Sequence, residues 1–519
     1  MQKIFLLLIV SLIALGSINS SADILPVGPV QVVGRQLMVD SQPYIIKGVG
    51  YNPYPVGVFP SQYGTCEYCS TVTDCLYPGG GADKFSCSAE TDLTANPPVN
   101  AGPQHPWGGQ PCGGTEPYPN KCANLFDRGD VNLDRDFQNL VSMNVNTIRT
   151  WEKVTPSLLA KANQYGLKVI AGYWIGNLFD PTGRLANTQH IIDDFANYIS
   201  HMKNDPNFSA VLFIAIGNEN NYMYYAPGAP RPSDAPGCYM SPSGPADTNK
   251  MAVWYALANQ LACRAHSITD RPVALVNGDI SEINNSSFGT TDANMTCLDI
   301  WGANVYRGIS FGGLFSSYAS KSQKPFWISE AGVDALYTNN FYDDYSTDHV
   351  YDPTAIQEDE VTQASWMGRQ WDEVVKNLNV TIGATFFEYS DEYWKANGRI
   401  PDSFSWDSLS RQHNNAGQCF QYTPSPGAMP DGFLNQEWFG IMKVQENGNQ
   451  SDKMLPRQVY GALKVRFQCG GATIYYAGPS NSKSCDGSSA CCFTSSQRVK
   501  AGACVSSCPI KYNKYKVVY

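Results

Sequence analysis

The chain has 519 residues, with 46 acidic side chains against 36 basic ones and a net charge of −10 at pH 7. This acidic balance argues against a nucleic-acid partner, because nucleic-acid-binding proteins present basic surfaces. The length is enough for a large core and would allow two or three domains. The aromatic content is high, with 30 Tyr and 11 Trp, which suits stacking on a neutral, flat ligand.

The amino-terminal stretch 1–22 predicts a cleaved export signal. Lys3 precedes an apolar run from Ile4 to Leu15, and small residues follow up to Ala22. The alternative is a membrane anchor, but the run is too short to span a bilayer. We therefore expect a secreted protein, extracellular or in the cell wall, without stable membrane insertion.

The cysteines agree with export. Sixteen Cys in a secreted chain favour disulfides over metal sites. Six of them fall in 57–123, a Gly- and Pro-rich segment without clear periodicity. The spacing of Cys66 and Cys69 would also suit zinc, but only His105 lies in this segment, so disulfides are the preferred interpretation. Sequons for glycosylation occur at Asn207, Asn284, Asn285, Asn294, Asn379 and Asn449.

After a short leading hairpin in 32–40, strand and helix patterns alternate along the chain. The predicted strands are 44–50, 145–151, 167–174, 210–217, 272–277, 299–306, 324–332 and 382–389. The predicted helices are 133–143, 155–166, 190–203, 250–266, 314–319 and 356–378.

Eight strands alternating with helices indicate an α/β fold, a (β/α)8 barrel. A doubly wound open sheet would also alternate, but it usually carries a Gly-rich strand-to-helix turn, and none is present in the first such turns. The barrel would occupy 23–468, with the Cys-rich segment 57–123 inserted after its first strand. A closing segment is expected in 436–463.

Polar side chains at predicted strand ends outline a site. The fourth strand runs from apolar residues into Glu219, and the seventh runs into Glu330. In a barrel both carboxylates would lie at the carboxyl-terminal face, where catalytic groups gather. The same face would carry Tyr51, Arg149, Trp174, Tyr306 and Glu388.

These motifs resemble the clan of retaining glycoside hydrolases with (β/α)8 barrels. Gly217-Asn218-Glu219 and Trp327-Ile328-Ser329-Glu330 match its catalytic strands, and 47–49, 146–149 and 304–306 match its first, second and sixth strands. The resemblance covers roughly 32–467 and is closest to fungal-type β-1,3-glucanosyltransferases and related β-glucanases and β-mannanases. The insertion 57–123 and the ending of strand eight, 388–392, depart from the family pattern.

The resemblance implies a role for each site residue. Glu219 would be the acid/base and Glu330 the nucleophile, while Asn218 would hold the sugar 2-hydroxyl. Arg149 and Tyr306 would hydrogen-bond Glu330 and keep it charged. Trp174, Tyr51 and Glu388 are assigned to substrate binding. The structural alternatives are an ordinary ion pair for Arg149, a core aromatic for Tyr306 and a solvated loop for Glu388.

The predicted activity is that of a secreted retaining glycosidase or transglycosylase on β-linked polysaccharide, with β-glucan preferred. The rival interpretation is an inactive wall or matrix protein that only binds polysaccharide. No cofactor or metal is expected, because the six His are scattered and no phosphate-binding loop is present. The Cys-rich segment 469–519 is either a small carbohydrate-binding module or an extension packed on the barrel. The oligomeric state is left open.

Overall fold

A computed structural model describes eleven segments of the chain. They are residues 30–56, 125–127, 131–179, 183–225, 244–338, 356–395, 429–430, 435–447, 450–468, 473–475 and 491–493. The predicted export signal, the whole insertion 57–123 and most of 469–519 lie outside the described residues, so the predictions made for them stay predictions.

A small antiparallel sheet precedes the barrel, as the alternating pattern predicts. It consists of β1 (Val30–Val33), β2 (Gln36–Val39) and β3 (Gln42–Pro43). Its buried side chains, among them Leu37 and Val39, pack against side chains in the first halves of the barrel strands, including Ile46. The sheet therefore covers the end of the barrel opposite the predicted site.

Eight parallel strands form a closed barrel, which confirms the predicted fold class. Each strand pairs with the next along the chain, and the last pairs with the first. The barrel strands are β4 (Ile46–Gly50), β5 (Thr147–Arg149), β6 (Lys168–Tyr173), β7 (Val211–Ile216), β8 (Val273–Gly278), β9 (Ile300–Asn304), β10 (Phe326–Ala331) and β13 (Thr381–Phe386).

Helices connect these strands and pack apolar faces onto the barrel. They are α1 (Leu133–Ser142), α2 (Pro156–Tyr165), α3 (Thr188–Lys203), α4 (Thr248–His266), α5 (Leu314–Lys321), α6 (Glu360–Lys376) and α7 (Gln458–Gln468). The sequence signals at α2 are confirmed. Thr155 caps its amino terminus by accepting a hydrogen bond from the Leu158 amide, and Gly166 ends it in the left-handed conformation.

The helix predicted over 356–378 begins later than expected. Residues Ile356–Glu358 instead form a strand, β12, which pairs with β11 (Leu336–Thr338). Asp359 then caps α6 by accepting a hydrogen bond from the Thr362 amide. The extended conformation lets Glu358 reach Lys443 and Arg457, an advantage that local helical periodicity does not reveal.

The chain closes against the barrel through a hairpin and α7. The hairpin consists of β14 (Met442–Gln445) and β15 (Lys453–Pro456), as expected for a closing segment. Arg457, at the start of α7, makes a buried bidentate ion pair with Asp391, which follows the last barrel strand. Short strands β16 (Thr473–Tyr475) and β17 (Cys491–Phe493) pair farther along. Within the described segments, no helix is long and apolar enough to cross a membrane.

Candidate active site

Glu219 lies just beyond β7, the fourth barrel strand. The backbone turns sharply here, because Gly217 and Glu219 both have positive φ angles, of 63° and 55°. The Glu219 amide donates to the Val276 carbonyl of β8 at 3.1 Å, which fixes the turn to the neighbouring strand. A left-handed Glu is uncommon and is retained only where the surroundings enforce it. Here the turn sets the direction of the Glu219 side chain.

Glu330 lies within β10, the seventh barrel strand, and receives three donors. Arg149 donates to Oε1 at 2.7 Å and the Trp151 indole donates to the same oxygen at 3.1 Å. The Tyr306 hydroxyl donates to Oε2 at 2.9 Å. The residue is 7% exposed. A buried carboxylate with one ion pair and two further donors is stabilised in its charged form.

Glu219 has a different environment. Its Oε1 accepts one hydrogen bond, from the Asn304 amide at 2.9 Å. Burial, followed by the negative charge of Glu330, raises the pKa of Glu219 from 4.5 to about 7. This carboxyl group therefore holds a proton near neutral pH.

The two carboxyl groups are connected through shared side chains. Arg149 donates to Glu330 through one terminal nitrogen and to the Asn218 oxygen through the other, at 2.6 Å. Asn304 donates to both Asn218, at 3.1 Å, and Glu219. Arg149, Asn218 and Asn304 thus hold both carboxyl groups in one cleft at the carboxyl-terminal face of the barrel.

Four of the residues predicted from the sequence meet in this network: Asn218, Arg149 and Tyr306 around the two carboxyl groups, and Glu388 nearby at the end of β13. Trp174 follows β6 at the same face and is 41% exposed, so its ring is available to a ligand. It lies next to the strand that carries Glu219.

Tyr51 is a correction to the predicted site. Its ring is fully buried and packs against Phe126 and Phe137, and its hydroxyl donates to Asp136 at 2.9 Å. A buried carboxylate such as Asp136 needs hydrogen-bond donors, and Tyr51, Tyr389 and Arg135 together supply them. This position indicates a packing role rather than contact with a ligand.

Two contact residues were not singled out by sequence reasoning. Trp151 donates to Glu330, and Asn304 donates to Glu219. Asn304 ends β9 and Trp151 lies two residues beyond β5. Their position at strand ends was the sequence signal that could have identified them. The Trp151 indole fits because Gly50 has no side chain, and a Cβ there would lie 2.5 Å from the indole ring.

No group of three or more His, Cys, Asp or Glu side chains that could hold a metal ion occurs within the segments given above.

Comparisons with known proteins give distant similarity to solved structures and no family. No protein-family model matches the chain, and no curated protein matches it. Among solved structures, a β-galacturonidase from Eisenbergiella tayi is similar at 13% identity and a TM-score of 0.43, covering 85% of this chain and 54% of that one. A Bacteroides uniformis β-glucuronidase is similar at 13% identity and a TM-score of 0.45, covering 86% of this chain and 38% of that one. The chain spans about half or less of the length of these proteins, and similarity at this level assigns no function.

Proposed function

We propose that the protein is a retaining glycosidase or transglycosylase that acts on β-linked polysaccharide, with β-glucan as its substrate. The carrying observation is the difference between the two carboxyl groups. Glu330 accepts hydrogen bonds from Arg149, a cation, and from Trp151 and Tyr306, whereas the pKa of Glu219 is raised to about 7. Retaining glycosidases need one carboxylic acid and one carboxylate, about 5–5.5 Å apart.

In the proposed reaction, Glu330 attacks the anomeric carbon while Glu219 donates its proton to the departing glycosidic oxygen. A covalent glycosyl-enzyme forms and the shortened chain leaves as an alcohol. Glu219, now ionised, takes a proton from an incoming water or sugar hydroxyl. That oxygen attacks the anomeric carbon, releases the Glu330 carboxylate and restores the starting configuration.

The remaining cleft residues support this cycle. Asn218 is fixed by Arg149 and Asn304 and is placed to contact a sugar 2-hydroxyl beside the reacting carbon. Such a contact strengthens in the transition state. The exposed ring of Trp174, on the strand next to that of Glu219, offers a stacking surface for the leaving or accepting chain.

The first experiment replaces each carboxyl group in turn. Glu330→Gln is expected to abolish turnover because the nucleophile is lost, with secretion and folding retained. Glu219→Ala is expected to be nearly inactive on unactivated glucan, but azide should partly restore turnover of an aryl glycoside by taking the glycosyl group from Glu330. A double Glu219→Ala, Glu330→Gln variant with near-normal activity would exclude the proposal.

The second experiment defines the reaction. End-labelled β-1,3-glucan, β-1,4-glucan and β-mannan oligosaccharides are incubated with the enzyme and the products are weighed by mass spectrometry. We propose that some transfer occurs, so products longer than the starting chain are expected, whereas only shorter products would mean hydrolysis alone. Change to mannan but to no glucan would reject the glucan assignment and keep the two-carboxyl mechanism.

Binding to insoluble glucan by folded protein, with no released sugar and no lengthened chain, would favour the rival: an inactive polysaccharide-binding protein. The Glu330→Gln variant is the matched control. If the wild-type protein only binds polysaccharide, both proteins should bind insoluble glucan equally and neither should release sugar or lengthen a chain.

A further inference from the structure

Glu388 is a buried carboxyl group that the proposed reaction does not use. It lies two residues beyond β13, the eighth barrel strand, and is 1% exposed. Its backbone is fixed on both sides, because its amide donates to the Phe439 carbonyl at 3.3 Å and its carbonyl accepts from the Ile441 amide at 2.8 Å. The position of the side chain is therefore set by the fold rather than by a mobile loop.

Neither carboxyl oxygen of Glu388 accepts a hydrogen bond from an N–H or O–H donor within the described segments. Its side-chain contact is with the carboxyl group of Glu392. A carboxyl group buried beside a second carboxyl group is disfavoured in its charged form. Burial, and then the charge of Glu392, raise the pKa of Glu388, which makes it the protonated member.

The other member of the pair is neutralised separately. Glu392 accepts a hydrogen bond from Asn52 at 2.9 Å and forms an ion pair with Lys395. The Lys395 ammonium group lies 4.6 Å from the centre of the Phe387 ring. Glu388 therefore contacts a carboxyl group that Asn52 and Lys395 hold in place. Its own oxygens keep hydrogen-bonding capacity that no described donor uses.

We propose that Glu388 is a specificity-determining residue that hydrogen-bonds hydroxyl groups of the sugar unit transferred to Glu330. The proposal rests on the proposed function, because it assigns Glu388 to the glycone side of that same cleft. Glu392, Asn52 and Lys395 are positioning residues for it.

The barrel order gives the side of the cleft. The strand that precedes Glu388, β13, lies between β10, which carries Glu330, and β4. Glu219 follows β7, on the other side of Glu330, and it protonates the departing oxygen. The leaving chain must therefore lie toward Glu219, and the sugar that becomes attached to Glu330 extends toward β13. Glu388 lies two residues beyond β13, on the side of Glu330 toward which this sugar extends.

The charges indicate a neutral sugar. The two cations described in the cleft, Arg149 and Lys395, are each already paired with a carboxylate, Glu330 and Glu392. A uronate would bring a further negative charge that neither cation is free to neutralise. A protonated Glu388 offers one O–H donor and further acceptor capacity, which matches sugar hydroxyls.

The test uses 2-deoxy-2-fluoro-β-laminaribiosyl fluoride, with the corresponding mannobiosyl fluoride in parallel. Either reagent labels Glu330 of an enzyme that accepts its sugar, and the label is located by peptide mass spectrometry. Glu388→Leu is expected to lower the second-order rate constant of labelling roughly 10- to 100-fold, the loss expected for one or two buried hydrogen bonds. Glu388→Gln, which keeps a donor and an acceptor, is expected to lose less than about 10-fold, as hydrogen bonding is partly retained.

Asp194→Asn is the matched control, because Asp194 is a carboxylate with only 10% of its side chain exposed and bonds Lys153 and Tyr173 rather than any cleft carboxyl group. Its labelling rate should match the wild type even if its melting temperature falls. Deoxy forms of the reagent, lacking the 4- or 6-hydroxyl of the transferred sugar, add a second criterion. At least one deoxy reagent should label the wild type more slowly than the parent reagent does. The same deoxy reagent should label Glu388→Leu at nearly the rate of the parent reagent, because the contact is already lost in that variant.

The possible failures are distinguishable. No label on Glu330 of the wild-type protein with either reagent would overturn the proposed function together with this inference. Labelling of the wild type with an unchanged rate in folded Glu388→Leu would overturn the inference alone. The inference would also be overturned if every deoxy reagent lowered the labelling rate by the same factor in the wild type and in Glu388→Leu. If Glu388→Leu does not fold, the labelling rate of Glu388→Gln decides.

Discussion

Glu219 and Glu330 are the same residue type with opposite surroundings. Glu330 has donors on both oxygens, including the Arg149 guanidinium, whereas the described donor to Glu219 is the neutral amide of Asn304. Hydrogen bonds to the charged form lower a carboxyl pKa, and burial without them raises it. The number and charge of the donors therefore separate the two roles, and the raised pKa of Glu219 leads to two predictions.

Activity should fall as pH rises through about 7. Only protonated Glu219 can donate to the leaving oxygen, and its pKa is raised from 4.5 to about 7. The measurement is kcat/KM against pH for the first bond cleavage. An aryl glycoside whose leaving group needs no proton serves as a control, because its cleavage should keep its rate above pH 7. A basic limb identical for both substrates would contradict the assignment of Glu219.

The free energy of unfolding should also depend on the protonation of Glu219. Because the pKa of Glu219 is higher in the folded state than in the unfolded chain, the folded state binds more protons between about pH 4.5 and 7. Its contribution to the free energy of unfolding therefore falls as pH rises through that window. Glu219→Gln removes the titration, so its melting temperature relative to the wild type should increase from pH 5 to pH 8. A constant difference over this range would mean that Glu219 does not carry the shifted proton.

The contacts of single residues could be predicted only where strand ends determine them. Arg149, Tyr306 and the two candidate carboxyl groups, Glu219 and Glu330, were identifiable because parallel strands bring their ends together. Tyr51 also follows a strand, yet its orientation depends on buried Asp136 in α1, 85 residues away in sequence. Contacts of this kind depend on packing between elements, which local sequence does not encode.

At the scale of elements, the turn after β7 positions the acid/base. A Cβ on Gly217 would lie 2.4 Å from the Asn220 side-chain oxygen, which accepts from the Asn218 amide, and 2.9 Å from the buried Trp254 ring. The turn therefore depends on glycine both for its positive φ and for this close approach.

Gly217→Ala should lower both stability and activity. The left-handed conformation costs a residue with a side chain about 1–2 kcal/mol, and displacement of Asn220 should add to this and move Glu219. The measurements are denaturant unfolding and kcat on the polysaccharide. Gly34→Ala is the matched control, with a φ of 59° and nothing within 4 Å of an added Cβ. It should show the conformational cost with unchanged kcat, and an equal loss of kcat in both variants would refute the role of the turn.

Element boundaries followed the sequence where capping chemistry is local. Thr155, Pro156 and Gly166 define α2 with signals confined to its own ends, and they were identified correctly. At α6 the apolar periodicity continues back into β12, and the real start is set by Asp359. The extended form of residues 356–358 is stabilised by pairing with β11 and by ion pairs to Lys443 and Arg457, all distant in sequence.

At the scale of the whole molecule, closure depends on buried charge. Arg457 at the start of α7 and Asp391 after β13 are both almost fully buried and joined by two hydrogen bonds of 2.5 and 3.0 Å. A buried pair of this kind costs about 3–5 kcal/mol when one partner is removed. It fixes the segment after β13, which also carries Glu388 and Glu392, to the last helix of the barrel. The sequence predicted the closing elements, whereas this pairing depends on their packing in three dimensions.

A disulfide joins α4 to the segment just before β9. Cys263 in α4 is bonded to Cys297, 34 residues later and just before β9, so the bridge encloses β8. The Asn259 side chain accepts from the Cys297 amide at 3.0 Å, and His266 pairs with Asp299 at 2.9 Å. The bridge thus joins segments that are also held by hydrogen bonds and an ion pair.

Removing the bridge should lower stability without removing activity. For a loop of this length, the chain-entropy model gives about 3–4 kcal/mol of stabilisation. The double variant Cys263→Ala, Cys297→Ala should unfold at a lower denaturant concentration than the wild type, and its kcat should be retained because neither Cys lies in the cleft. The single Cys263→Ala variant is the control, since the bridge is already absent from it and the second substitution should add little. Non-reducing peptide mapping of the wild type should recover Cys263 joined to Cys297, and both thiols free in protein purified without reductant would contradict this account.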